Sequence, residues 1–302
     1  MLSRRAFLGG FSALSVGAAL RPTSLFAVPQ RGKFTPIRRG VGTFEARGGT
    51  TGYLISPDAL VVIDSQYPET AEECWQGLQE RAGDRRIDVL ANTHHHGDHT
   101  AGNIVLSQHA DRHIAHAEAA RLHQASAEAR GNVDQQRVAG ETYQESLTMD
   151  VGDEVITLTH HGAAHTGGDS VIHLEKADVV HMGDLVFNRM PPFIDKPGGA
   201  SIAGWMDLLE ATYARFSDDT IFIHGHAGPN YTVTGTREDL LVMRDFLSGL
   251  LDYVQAGIRN ETPLDELAVD RLPDFPEYYL DSWATAIPNA IRAAHQELTE
   301  GD

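Results

Sequence analysis

Apolar positions along the chain fall into short runs and alternations broken by glycine, proline and acidic turns. Alternation begins over residues 41–44, turns at Gly48 and Gly49, and resumes over 53–55, the pattern of a β-hairpin. After a turn at Ser56, Pro57 and Asp58, residues 59–63 are continuously apolar, as in a strand buried on both faces, and they deliver Asp64. A helix over 69–81 and a strand over 87–92 follow, so strand, helix and strand succeed one another as in a βαβ unit. Residues 104–123 read as a short helix, a strand around Ile114 and a second helix, and the polar stretch 125–145 reads as a helical insertion or lid. Alternation returns over 154–159, short strands follow at 171–174 and 179–182, and a Pro- and Gly-containing loop spans 187–200. Ile202, Trp205, Met206, Leu209 and Tyr213 recur at three- and four-residue intervals, predicting a helix over 202–215 that packs on a sheet. A strand over 220–223 comes next. Thr236 opens a helix whose Leu240, Met243, Leu247, Leu250 and Val254 share one face. Beyond Pro273 and Pro276, short helices are expected around Trp283 and over 291–298, with Pro288 in a first turn.

A chain of 302 residues with 41% hydrophobic content can bury a sizeable core. Its formal net charge of −18 argues against nucleic acid or anionic lipid as a partner. The single cysteine, Cys74, excludes an intrachain disulfide and the cysteine-rich structural zinc sites; within a predicted helix it reads as a packing residue. Ser3-Arg4-Arg5-Ala6-Phe7-Leu8, followed by a mildly apolar run to Leu20, resembles a twin-arginine export signal with cleavage after Ala27. The run is too short to span a bilayer. The expected organisation is therefore a signal over 1–27, a main domain over 28–234 and C-terminal helices over 235–302 packed on it, a homodimer interface being the alternative use of their outer faces. The expected compartment is the periplasm, with no membrane contact once the signal is removed.

The candidate chemistry is concentrated at the end of the strand over 87–92. His94, His96, Asp98 and His99 lie within six residues of one another, behind Val89, Leu90 and Ala91. Side chains two apart in extended chain point the same way, so His94 and His96 can meet one cation while Asp98 and His99, beyond the bend at Gly97, face a second. A helical zinc motif would space its histidines four apart.

This stretch, taken with Asp64, His165, Asp184 and His226, resembles the metallo-β-lactamase superfamily, in order over roughly residues 35–230. The resemblance implies an α/β fold, the four-layer αββα sandwich, here with C-terminal helices. It also implies one metal held by His94, His96 and His165, a second held by Asp98, His99 and His226, Asp184 between them, and Asp64 bracing the ligand-bearing turn. The glycine that usually follows that aspartate is replaced by Ser65 and Gln66. Phe187, Met190, Phe193 and Ile194 are expected to wall a substrate pocket.

Such a ligand set implies two Zn²⁺ per chain, with iron or manganese as alternatives of the same ligand chemistry. A zinc held by three neutral imidazoles lowers its water's pKa to about 7, giving a hydroxide nucleophile at neutral pH, and Asp98 can orient it and relay its proton. The expected enzyme is an exported metal-dependent hydrolase of a small-molecule ester, thioester, lactone or amide-type bond. A periplasmic β-lactamase is the first alternative, with Asp184 against it, because β-lactamases of this ligand type lack the bridging aspartate. Glutathione thioesters are disfavoured by the absence of a basic C-terminal cluster. An iron-dependent, sulfur-dioxygenase-like oxidoreductase is the alternative of another class. His109, His113, His116, His123, His160 and His161 match no ligand position and are expected to serve packing or lining.

Overall fold

The alternating and continuously apolar runs of the first half assemble into one sheet. In the computed structural model, which describes residues 32–300 and so leaves the expected export signal outside the described residues, β1 (Lys33–Arg38), β2 (Val41–Glu45), β3 (Thr51–Ile55) and β4 (Leu60–Ile63) form an antiparallel meander. β4 is buried along its whole length, as its uninterrupted apolar run demands. α1 (Pro68–Ala82) crosses to β5 (Ile87–Ala91), which lies parallel to β4. Past the short helices α2 (Gly97–Thr100) and α3 (Asn103–Leu106), β6 (Ala110–His116) adds parallel to β5; after α4 (Ala117–Arg130), β7 (Glu141–Tyr143) adds parallel to β6. The stretch 125–145 is therefore not a helical insertion. Its α-helix ends at Arg130, with Gly131 in the left-handed conformation; one 3-10 turn over Val133–Gln135 follows, and the chain returns as the edge strand β7, whose Tyr143 enters the core between the sheets. A three-residue edge strand is too short to leave an alternating signature in the sequence.

The second half builds a six-stranded sheet in the order β13-β12-β11-β10-β9-β8. Its elements are β8 (Ser146–Val151), β9 (Glu154–Thr159), β10 (Val171–Leu174), β11 (Val179–Asn188), α5 (Ile202–Arg215), β12 (Ile221–Ala227), β13 (Thr234–Gly235), α6 (Glu238–Arg259), α7 (Leu264–Leu267) and α8 (Ala286–Glu300). β11 runs past the expected end at Met182, carries Asp184 within it, and is buried at all ten residues. Its parallel pairing with β12 shifts register on both sides of Gly183. Gly183 has φ 52°, and a Cβ there would press on the Thr93 side chain, so glycine lets the bulged strand approach the histidine-rich turn.

Three apolar layers result. Leu54, Val61, Val89 and Ile114 of the first sheet meet Ile156, Leu158, Ile172 and Val179 of the second. Ala71, Cys74 and Leu78 of α1 cover the first sheet's outer face over Leu60, Val62 and Leu90. Trp205 and Leu209 of α5, Phe246 and Leu250 of α6 and Ile291 of α8 cover the second sheet over Val180, Met182 and Phe222. This is the helix, sheet, sheet, helix sandwich. Glu297 of α8 ties the last helix to the middle of the chain: its carboxylate accepts from the Ile202 and Ala203 backbone N–H groups at 2.9 and 3.0 Å, and pairs with Lys196 Nζ at 3.0 Å. Among the described residues no helix is long and apolar enough to cross a membrane.

Candidate metal centre

Parallel strands ending at one edge bring the candidate ligands together. β5 leads into Thr93 and the histidine-rich turn, α2 carries Asp98 and His99, the loop after β9 brings His165, the bulge of β11 brings Asp184, and β12 brings His226. Backbone bonds cross between the sheets around the same spot: Ser170 N–H donates to Thr93 O at 2.8 Å and Thr50 N–H to Gly225 O at 2.9 Å.

His94 Nε2 lies 3.1 Å from His96 Nδ1, and His165 Nε2 lies 3.0 Å from the same atom. Asp184 Oδ2 stands 3.7 Å from His94 Nε2 and 3.6 Å from His165 Nε2. On the other side, Asp98 Oδ2 is 3.1 Å from His226 Nε2 and 3.7 Å from His99 Nε2, and the two imidazole nitrogens are 3.4 Å apart. Asp184 Oδ1 faces this group, 2.9 Å from His99 Nε2 and 3.4 Å from His226 Nε2. Four ligands on a tetrahedron with metal bonds near 2.05 Å stand roughly 3.3 Å apart. The observed separations bracket that edge length in both groups. Asp184 Oδ1 is buried with no hydrogen bond of good geometry, and the atoms nearest it are the His99 and His226 Nε2 nitrogens, so carboxylate and imidazoles converge as ligands around one point. Each group could hold a metal ion, and the residues fit one.

The far side of each ring fixes which nitrogen carries its lone pair inward. His165 Nδ1–H donates to Phe193 O at 2.8 Å, His99 Nδ1–H to Asp64 Oδ2 at 2.8 Å, and His96 Nε2–H to Asp195 Oδ2 at 3.0 Å. His94 Nδ1 lies 3.0 Å from Thr93 Oγ1, whose own proton goes to Asp64 Oδ2 at 2.7 Å. Outer partners of this kind orient a ligand and raise its basicity. Asp64 also accepts from the Thr93 backbone N–H at 2.8 Å, so it braces the turn and caps no helix; α1 starts after Tyr67. The residues standing where glycine was expected resolve in an unusual way. Asp64 and Gln66 both occupy the left-handed region (φ 63° and 56°), and Gln66 Nε2 donates to Phe44 O and Gly49 O at 3.2 and 2.7 Å, fastening the β2–β3 turn under His99. His226 has a different support, the Phe187 ring stacked on it at 5.4 Å.

The two groups differ in charge. Burial and then the charge of His99 hold His94 well below the ordinary imidazole range, and burial followed by His96 takes His165 down to about 3, so both present lone pairs at neutral pH. Burial would also lower His99 and His226, but Asp184 and its fellow carboxylates outweigh it, raising His99 well above its usual value and His226 to about 9. Burial would raise Asp98; His99 and the hydrogen bond from His226 outweigh it and bring the carboxyl to about 2. The second group therefore draws in positive charge, the demand a divalent cation meets.

A cavity of about 390 Å³ opens over the site, with Asp98, Asp184 and His226 at its floor and Phe187, Met190 and Phe193 in its wall. Ile194 differs: it is buried in the core beneath α5, because the chain turns inward after Phe193. His96 and Gly97 also line it, as do Tyr67, Trp283 and Arg130, which were not expected from sequence. Asp195 was also missed; it holds His96 and sits 3.4 Å from His95, with Gly198 N–H closing its turn at 3.1 Å. An aspartate in a Pro- and Gly-containing loop behind apolar residues was its only sequence signal. Five of the unassigned histidines are packing groups: His116 stacks on His160 at 3.8 Å, His109 on Trp75 at 4.2 Å, and His113 and His123 reach Asn92 Oδ1 and Gln136 Oε1, whereas His161 is exposed.

The family model for the metallo-beta-lactamase superfamily matches residues 46–226. Among curated proteins, the alpha subunit of the 2,4-dinitroanisole O-demethylase of Nocardioides sp. (strain JS1661) is 26% identical over 178 residues, covering 57% of this chain and 51% of that protein. Among solved structures, a metallo-beta-lactamase from Pontibacter korlensis superposes with a TM-score of 0.61 at 18% identity, covering 72% of this chain and 99% of the other. The stereoselective inverting sec-alkylsulfatase of Pseudomonas sp. superposes with a TM-score of 0.68 at 15% identity, covering 89% of this chain and 50% of the other. The chain thus spans about half the length of the demethylase subunit and of the alkylsulfatase. At these identities the two structural likenesses speak for the fold alone.

Proposed function

The chain belongs to the metallo-beta-lactamase superfamily, a family of metal-dependent hydrolases, and we propose that within it the protein is a dinuclear zinc hydrolase, exported by a twin-arginine signal to the periplasm, that cleaves an ester, thioester, lactone or amide-type bond of a small molecule. The observation that carries the reading is Asp184, one oxygen toward His94 and His165 and the other toward His99 and His226. Divalent cations held by His94, His96 and His165 and by Asp98, His99 and His226 would supply Lewis acidity and a water acidified to a pKa of about 7. The chain's own part is to orient. Asp64, Asp195 and Phe193 O hold the imidazoles, the apolar wall excludes water, and Asp98, which lines the cavity, takes up and returns a proton at the oxygen not turned toward His226.

Metal analysis of the purified full chain, followed by a panel of lactam, lactone, thioester, phosphoester and alkyl sulfate substrates, tests the proposal. About two zinc ions per chain and turnover of a carboxylic acyl substrate are expected. Stoichiometric iron with oxygen uptake on a sulfur substrate would move the protein to another reaction class. Preferred lactam turnover would support the β-lactamase alternative. Asp98→Ala should lower turnover by orders of magnitude with an unchanged melting profile; an unaltered rate would remove its proton-transfer role. Replacing Arg4 and Arg5 by Lys should leave unprocessed protein in the cytoplasm, and normal export would refute the targeting assignment.

A further inference from the structure

The cavity over the candidate metal centre has apolar walls, an acidic floor and a single arginine. Tyr67, Phe187, Met190, Phe193 and Trp283 supply the apolar surface, and Arg130 is the only lysine or arginine in the lining. Most arginines near this end of the molecule are already engaged: Arg47 pairs with Glu69 and lies over the Tyr67 ring at 4.2 Å, and Arg189 pairs with Asp239. Arg130 forms no ion pair and no hydrogen bond among the described residues. Its guanidinium extends over Gly97, where a Cβ would lie 3.8 Å from Nη1, so it stands beside the turn that carries Asp98.

A basic residue in a helix's last turn is commonly explained by the helix dipole. That duty is already met here. Gly131 N–H donates to Glu128 O and Asn132 N–H to Ala127 O, each at 3.1 Å, closing the end of α4 with backbone alone. The same side chain also lines the adjoining small cavity with His95 and His123, whose lining holds no carboxylate. Nothing on that side offers it an anion. An unpaired guanidinium at the mouth of a cavity, in a chain of net charge −18, is a fork of donors without an acceptor.

We propose that Arg130 is the anion subsite of this cavity, and that the substrate is a small molecule with an apolar or aromatic body and an anionic group remote from the bond that is cleaved. The inference rests on the hydrolase reading in taking this cavity as the substrate's place, and it adds the charge of the substrate. The cavity's volume suits a single aromatic or short aliphatic body.

The test uses the zinc-loaded full chain and two probes of one shape, 4-toluenesulfonate and the neutral methyl 4-tolyl sulfone, with affinities measured by calorimetry or ligand-observed NMR. Sulfonate is a weak metal ligand, so its preference reports on the protein's cation. The wild type is expected to prefer the sulfonate by about tenfold, the worth of one charge-assisted hydrogen bond at a half-open rim. Arg130→Gln should erase the preference while leaving the sulfone and the zinc content unchanged, and Arg130→Lys should keep part of it. Equal affinities in the wild type, or an unchanged preference in Arg130→Gln, overturn the assignment. Turnover is read separately, on a dicarboxylic acid monoester and its diester and on the lactam, lactone and thioester panel. No hydrolysis of any of them with the sulfonate preference intact would refute the hydrolase reading and leave the anion subsite standing.

Discussion

On the proposed two-metal reading, replacing Asp64 by asparagine should weaken the second cation alone. The position has φ 63°, where asparagine is as comfortable as aspartate, so the backbone of the turn is not disturbed. Asp64 Oδ1 accepts from the Thr93 backbone N–H at 2.8 Å, which can only donate; the new amide must therefore keep its oxygen there and turn its NH₂ to the former place of Oδ2. That atom accepts from Thr93 Oγ1 at 2.7 Å and from His99 Nδ1 at 2.8 Å. The threonine hydroxyl can accept the amide proton on its second lone pair while still accepting from His94 Nδ1–H, giving up only its own donation. His99 can satisfy an amide donor only by giving up its Nδ1 proton and carrying it on Nε2, the atom that faces Asp98, Asp184 and His226. The penalty is one charge-assisted hydrogen bond, about 1.5–3 kcal/mol, or roughly 10- to 100-fold in affinity for the second cation. His94, His96 and His165 keep their inward nitrogens, so the first cation should bind within about threefold of its wild-type affinity. Stepwise zinc titration against a calibrated chelator separates the two events. An unchanged second step, or an equal fall in both, would refute the tautomer argument.

Three further outcomes follow from contacts elsewhere. In Gly49→Ala the new methyl would overlap the His99 ring, so the second cation and at least nine-tenths of turnover should be lost while the first cation is retained; wild-type turnover with two cations would refute that close approach. Glu297→Gln should lower unfolding free energy by about 2–4 kcal/mol in urea, because a buried carboxylate that serves two backbone donors and Lys196 becomes neutral; a change below about 0.5 kcal/mol would show the tie to be idle. Cys74 is buried under α1, and burial, opposed only by Arg81, pushes its thiol up; it should resist a disulfide reagent in the native protein at pH 8 and react once per chain in denaturant, whereas rapid native labelling would contradict its place in the core.

What could be read from the sequence was what is local or strictly periodic. The histidine-rich turn packs four candidate ligands behind one apolar strand, and α5 and α6 announce themselves by their stripes. Asp184 and His226 stood out only through the resemblance, since an aspartate in a buried strand and a histidine in another carry no periodic mark. The strand edges were harder. β7 is short and polar, β8 was not anticipated, and β11 hides its length because Gly183 and Asp184 interrupt the apolar run at the bulge. Asp195 and Arg130 escaped for a different reason. Each matters through a partner 99 or 33 residues away, His96 in one case and Gly97 in the other, and neither separation leaves any trace in spacing.

The tie between Lys196 and Glu297 bears on the order in which the molecule is completed. Asp195, which steadies His96, is the neighbour of Lys196, and the same glutamate receives the first N–H groups of α5. A nascent polypeptide still on the ribosome with α8 unsynthesised has its histidine-rich turn and every candidate ligand in hand, yet lacks the carboxylate that anchors the loop behind His96. Every candidate ligand thus precedes this glutamate in the chain, and truncation before the final helix should impair cation uptake at a distance while sparing every coordinating atom.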